Sequence, residues 1–258
     1  MLLVYSIQNT IYACQTKSQC KFNFHYFDNK ESKLSSSTIL DRIYTILKNT
    51  WSAKDWWPSK AGPFETCLGA ILTQSTAWSN AELALSNMKL KELISIKKVQ
   101  EIHVQDLATI IQSSGYFNSK AKKIKYFANY VHQNYDGILL DFLKQPISKL
   151  RIELLGIYGI GNETADSIIL FAANKPSFVM DSYTIRIFSR IGLLSENSDY
   201  PLAQKFFHEN LPHKALLFQE YHALIVMLAQ KNCHKSSPNC LECPIRKECA
   251  TGSQNPIY

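Results

Sequence analysis

The chain has 258 residues, 46% of them hydrophobic, enough apolar material for a substantial core in one or two domains. Its formal net charge of +7 and pI of about 8.9 favour an anionic partner, although such a charge carries weight only beside independent motifs. No uninterrupted apolar stretch reaches the ~20 residues of a membrane-spanning helix. The apolar stretch Met1 to Cys14 lacks a basic leader and is broken by Gln8 and Asn9, so it reads as neither signal peptide nor anchor, no membrane partner is expected, and a cytoplasmic location is expected, nucleoid-associated if the source is bacterial.

Residues 1–37 show no sustained periodicity and run into Ser35-Ser36-Ser37-Thr38, which reads as a poorly ordered extension ending in a helix cap near Ser37 or Thr38. From residue 38 onward apolar residues recur at helical spacing: Ile39, Ile43, Ile46 and Leu47, then Phe64, Cys67, Leu68, Ile71 and Leu72, then Leu83, Leu85 and Met88. The same period continues through Ile124, Phe127 and Val131, Ile168 and Ile169, Ile185 and Phe188, and Leu224, Ile225 and Leu228. Short connections such as Ser113-Ser114-Gly115 and Asn174-Lys175-Pro176 punctuate these stretches. With no alternating pattern of comparable quality, the chain is expected to be all-α.

Leu154 to Ala165, with Gly159-Ile160-Gly161 at its centre, lies between two helical stretches. The glycines allow a tight turn and close approach of another molecule, Ile160 can plug into the core, and unpaired amides opening the next helix suit a phosphate. The pattern is that of a helix–hairpin–helix over 148–172, although a plain helix–helix turn would read similarly. Further on, Asp181 follows Phe178-Val179-Met180 and precedes a helix start at Ser182, where an acid is either a simple N-cap or a functional carboxylate. Near the C-terminus Cys233, Cys240, Cys243 and Cys249 stand at the spacing Cys-x6-Cys-x2-Cys-x5-Cys. Four thiolates in one short segment suit a single thiophilic centre, and the spacing favours a [4Fe–4S] cluster over zinc, which usually takes two Cys-x2-Cys knuckles. Disulfides fit poorly, because the seven cysteines are an odd number and no secretory signature accompanies them.

The hairpin, then Asp181 about a helix later, then the four-cysteine loop, resembles the endonuclease III family of helix–hairpin–helix DNA glycosylases across roughly residues 38–250. Pro63-Phe64-Glu65 and Leu72-Thr73-Gln74-Ser75-Thr76 resemble the family's second helix and its DNA-entering loop. The resemblance implies two all-α domains flanking a DNA-binding cleft: a six-helix domain at 63–175, and an iron–sulfur domain built from 38–62 plus 176–258. It implies a monomer that binds double-stranded DNA with a damaged base, and a catalytic role for Asp181, whose carboxylate would stabilise an oxocarbenium-like sugar and orient water.

Bifunctional family members carry a Schiff-base lysine two residues after the hairpin's last glycine, and here that position is Glu163. A glutamate cannot form an imine, so the chain resembles the 3-methyladenine glycosylase branch, which hydrolyses the base and leaves an abasic site. The rival readings are a bifunctional glycosylase and lyase acting on oxidised pyrimidines through another lysine, and a damage-binding protein without turnover. Trp51, Trp56, Trp57 and Phe64 are candidates for stacking on a cationic alkylated purine, or else pack the domain junction. Gln74 is a candidate wedge or an ordinary loop residue. Arg186, Arg190, Arg246 and Lys247 are candidates for phosphate contacts, and the run Lys120-Ala121-Lys122-Lys123 reads as a solvated helix face.

Overall fold

The computed structural model describes residues 3–7, 10–14, 35–53 and 62–254. Two strands, β1 (Leu3–Ile7) and β2 (Thr10–Cys14), form an antiparallel pair in the register Leu3↔Cys14 to Ile7↔Thr10. This hairpin lies inside the segment read as a poorly ordered extension. Its β-branched and aromatic residues, Val4, Tyr5, Ile11 and Tyr12, favour extended backbone. It belongs to a unit, 1–34, separate from the helical body that begins at Ser35.

The body is all-α among the described residues. Helix α1 (Ser36–Thr50) is capped at Ser35, two residues before Ser37 and three before Thr38, the expected caps, because the Ser35 hydroxyl accepts from the Thr38 amide at 3.2 Å. Helix α2 (Pro63–Leu72) opens on a proline, and Phe64 to Leu72 are all buried, as suits a helix apolar on every side. There follow α3 (Trp78–Leu90), α4 (Ile96–Glu101), α5 (Val104–Ile110), α6 (Phe117–Tyr135), α7 (Leu139–Lys144), α8 (Ile147–Gly156) and α9 (Asn162–Ser167), the last passing into a π-turn at Ile168–Ala172. The chain ends with α10 (Ser182–Ile191), α11 (Tyr200–Asn210), α12 (Ala215–Lys231) and α13 (Ala250–Gln254).

Apolar side chains gather in two clusters. The first runs from Phe64 to Ile169 and includes Leu68, Met88, Ile124, Phe127, Leu154 and Ile160. The second joins Leu40, Ile43 and Leu47 of α1 to Leu170 and to residues of α10, α11 and α12, with Phe178 stacked on Phe207 at 4.1 Å between centroids. Within the π-turn, Ile168 and Ile169 enter the first cluster and Leu170 the second.

One buried ion pair ties these parts together. Asp166 is fully buried, and Arg151 of α8 donates to both its oxygens, from Nε at 2.9 Å and from Nη2 at 3.0 Å. The Ser177 hydroxyl adds a bond to Asp166 Oδ1 at 2.6 Å, and Arg151 Nη2 also reaches Asn162 Oδ1 at 3.0 Å. Asp166→Asn should therefore lower unfolding stability by about 2–4 kcal/mol, the cost of leaving a partly buried guanidinium without its countercharge. Denaturant titration checks this, and a loss under about 0.5 kcal/mol would show that the pair does not carry the junction.

Candidate functional site

The α8–α9 turn owes its shape to three residues. Ile157 and Ile160 are buried at 4% and 5% exposure and plug the turn into the first cluster. Gly159 between them has φ +80°, a left-handed conformation that glycine adopts without strain. Gly161 is different: nothing lies within 4 Å of where its Cβ would stand, so an approaching molecule meets bare backbone there. Ile160, expected among the DNA contacts, turns its side chain inward and can offer only its backbone.

Opposite this turn, Thr73, Gln74 and Ser75 leave the end of α2 and, with Gly159, Gly161, Glu163, Thr164 and Ser167, line a groove of ≈ 320 Å³. Gln74 does not project from it. Its Nε2 donates to Gly159 O at 3.0 Å and to Thr164 Oγ1 at 2.9 Å, while its Oε1 accepts from Lys123 Nζ. The expected wedge is thus held against the turn, and a duplex would have to break three hydrogen bonds to draw it out.

Glu163, in the first turn of α9, keeps contact with water at the open side of the groove. The protein around it disfavours charge, the Asp181 carboxylate adds repulsion, and together they push its pKa up to about 7. Asp181 caps α10: its Oδ1 accepts from the Thr184 amide at 2.7 Å and from the Thr184 hydroxyl at 2.8 Å. The approach to Asp181 is fixed in turn by α11. The Phe178 amide donates to His208 Nε2 at 3.0 Å, Gln204 Nε2 donates to Phe178 O at 2.8 Å, and the Met180 amide reaches the Tyr200 hydroxyl at 3.4 Å. His222 of α12, which the sequence reading passed over, is buried within reach of Asp181's charge. Burial lowers its pKa while Asp181 acts to raise it. Histidine spacing gave no signal for it, since the Asp181 charge comes from another part of the chain.

Cys233, Cys240, Cys243 and Cys249 all line one pocket beside Ile187, Ile191 and Leu228. They do not converge on a point: among the described residues no three His, Cys, Asp or Glu side chains are placed to hold a single metal ion. Burial pushes the Cys243 thiol up to about 11. Arg186 and Arg190, expected at phosphates, are turned onto this loop instead. Arg186 donates to Cys233 O at 3.1 and 2.9 Å, and Arg190 donates to Cys233 Sγ at 3.2 Å, His234 O at 2.7 Å and Lys235 O at 2.8 Å. Arg246 Nε reaches Gly252 O at 3.3 Å, whereas Lys247 is exposed.

Of the aromatic pocket candidates, Trp56 and Trp57 lie outside the described residues. Trp51 packs against the second cluster with Lys231 Nζ 6.0 Å from its ring centroid. Phe64 is a core residue, 7% exposed and stacked on Phe127 at 6.4 Å, and it does not line the hairpin groove.

Comparison with known proteins agrees with this arrangement. Residues 68–213 match the model of the HhH-GPD superfamily base excision DNA repair protein. The "Putative DNA repair glycosylase MJ1434" of Methanocaldococcus jannaschii is 39% identical over 222 residues, covering 85% of this chain and 98% of its own. The endonuclease III of Sulfolobus acidocaldarius is 32% identical over 72% of this chain and 81% of its own. Among solved structures, the 3-methyladenine DNA glycosylase of H. pylori bound to 1,N6-ethenoadenine superposes with a TM-score of 0.66 at 27% identity, over 77% of this chain and 98% of that one. A trapped endonuclease III–DNA covalent intermediate gives 0.67 at 19% identity, over 83% and 97%, a likeness of fold. The chain belongs to the HhH-GPD superfamily and is an endonuclease III-related DNA glycosylase of base-excision repair.

Proposed function

We propose that the enzyme is a monofunctional glycosylase that hydrolyses the N-glycosidic bond of an alkylated purine and leaves an abasic site. The observation that carries this reading is Glu163, a carboxyl lining the groove at the position where a lyase of this type needs an amine. The H. pylori relative, a 3-methyladenine glycosylase at 27% identity, supports the substrate class. A groove of ≈ 320 Å³ lies in the size range of small-molecule sites and suits a flipped base.

Asp181 is the catalytic carboxylate in this scheme. Thr184 fixes its Oδ1, and the acid offsets positive charge developing on the sugar and orients the attacking water. The chain acts as a monomer, in the cytoplasm, with 63–175 as the hairpin domain and 38–62 plus 176–258 as the second. Cys233, Cys240, Cys243 and Cys249 would hold a [4Fe–4S] cluster. Thiols that share a pocket without meeting at one point suit a centre that offers each thiolate its own iron. Bound there, the cluster would serve as a structural clamp, with the Arg190 guanidinium beside Cys233 Sγ offsetting its negative charge.

Asp181→Asn should abolish base release from duplexes carrying defined alkylated purines while preserving binding, and turnover within about threefold of wild type would remove Asp181 from the chemistry. Glu163 is neutral below its pKa and anionic above it. Raising the pH from 6 to 8.5 should therefore weaken duplex binding roughly three- to tenfold through one added charge, and Glu163→Gln should flatten that limb. An unchanged pH profile in the variant would mean that Glu163 does not titrate there. Anaerobically purified protein should hold about four irons per chain with broad absorbance near ~400 nm, and stoichiometric zinc without iron would exclude the cluster.

A further inference from the structure

Lys123 of α6 belongs to a run whose spacing suggests a solvated helix face, yet its side chain lies across the hairpin. A Cβ built on Gly159 would stand 2.4 Å from Lys123 Cγ, 2.6 Å from Cδ and 2.7 Å from Cε, so the methylene stem occupies the space that glycine leaves open. The ammonium ends on Gln74 Oε1, a neutral amide oxygen. None of the ion pairs among the described residues includes it. A second ammonium, Lys120, is buried one helical turn away, bonded to Leu72 O at 2.8 Å and Ser114 O at 2.6 Å, carbonyls that leave its charge uncancelled. Burial and the charge of Lys123 together push the Lys120 pKa down to about 8. The same face of α6 continues with Tyr126, which is half exposed and pairs with Tyr158 of the hairpin at 4.9 Å.

A partly buried ammonium held by a neutral partner, beside a groove lined with bare glycine backbone, is set to receive an anion. We propose that Lys123 is a phosphate ligand of the DNA duplex, parked on Gln74 in the free protein and released to the backbone when DNA seats on the hairpin. Transfer of the ammonium also removes one of the three hydrogen bonds that hold Gln74, so phosphate binding loosens that side chain as the duplex arrives. The inference rests on DNA binding by the chain and is independent of which base is excised.

The test is the salt dependence of binding to an undamaged duplex, followed by fluorescence anisotropy on the full chain, for wild type, Lys123→Met, Lys123→Gln and Lys123→Arg. Methionine keeps the stem over Gly159, and glutamine keeps a hydrogen-bonding group near Gln74. Thermal melts establish which variants are folded. Both neutral variants should show a plot of log affinity against log salt shallower by about 1, with roughly five- to tenfold weaker binding at low salt, while arginine restores the wild-type slope. A wild-type slope in either folded neutral variant overturns the assignment and leaves Lys123 as a strut beneath the turn.

Discussion

The site depends on one buried charge. Asp166 has no access to water, and an ionised carboxylate so placed is tolerated only with a partner and hydrogen bonds for its lone pairs. Arg151 supplies the fork from α8, and Ser177 supplies a hydroxyl from the segment that leaves the π-turn. These obligations fix α8, α9 and the chain at residue 177 against one another. Arg151 remains 28% exposed, so the charge on that side is partly hydrated and the pair is less costly than a fully buried one.

Two elements of the proposed site inherit this frame. Glu163 and Asp166 lie three apart on α9 and share a face, so the lock on Asp166 also sets the heading of Glu163 toward the groove. Asp181 follows Ser177 by four residues, with the backbone between them pinned by Tyr200, Gln204 and His208. From Asp181 the chain enters α10, whose middle and last turn carry Arg186 and Arg190, the two arginines that bond the cysteine loop. One ten-residue helix therefore has the acid at its start and the thiol pocket against its last turns.

What the sequence made legible was local. The hairpin glycines and the cap position of Asp181 each need only a few neighbouring residues, and each lies where its pattern suggested, whereas the four cysteines share a pocket without converging on one point. What stayed hidden was set by distant pairing. Gln74 is 85 residues from the Gly159 carbonyl it bonds, and Arg186 is 47 from Cys233, so neither could be distinguished from a free surface side chain by spacing. Phe64 misled for a related reason: an aromatic at the start of a helix reads as a pocket wall unless the helix is known to be buried on every side. The β1–β2 pair was missed because two five-residue strands give too short an alternation to stand out.

Glu163, where an amine would be required for strand cleavage, makes the chemistry decidable in one assay. A duplex carrying 3-methyladenine is incubated with excess enzyme and borohydride, and the products are resolved with and without alkali. Hydrolysis without lyase chemistry predicts no covalent protein–DNA adduct and strands that stay intact until alkali breaks them at the abasic site. Efficient borohydride trapping, or strand breaks without alkali, would contradict it by showing that an amine elsewhere in the chain attacks the sugar.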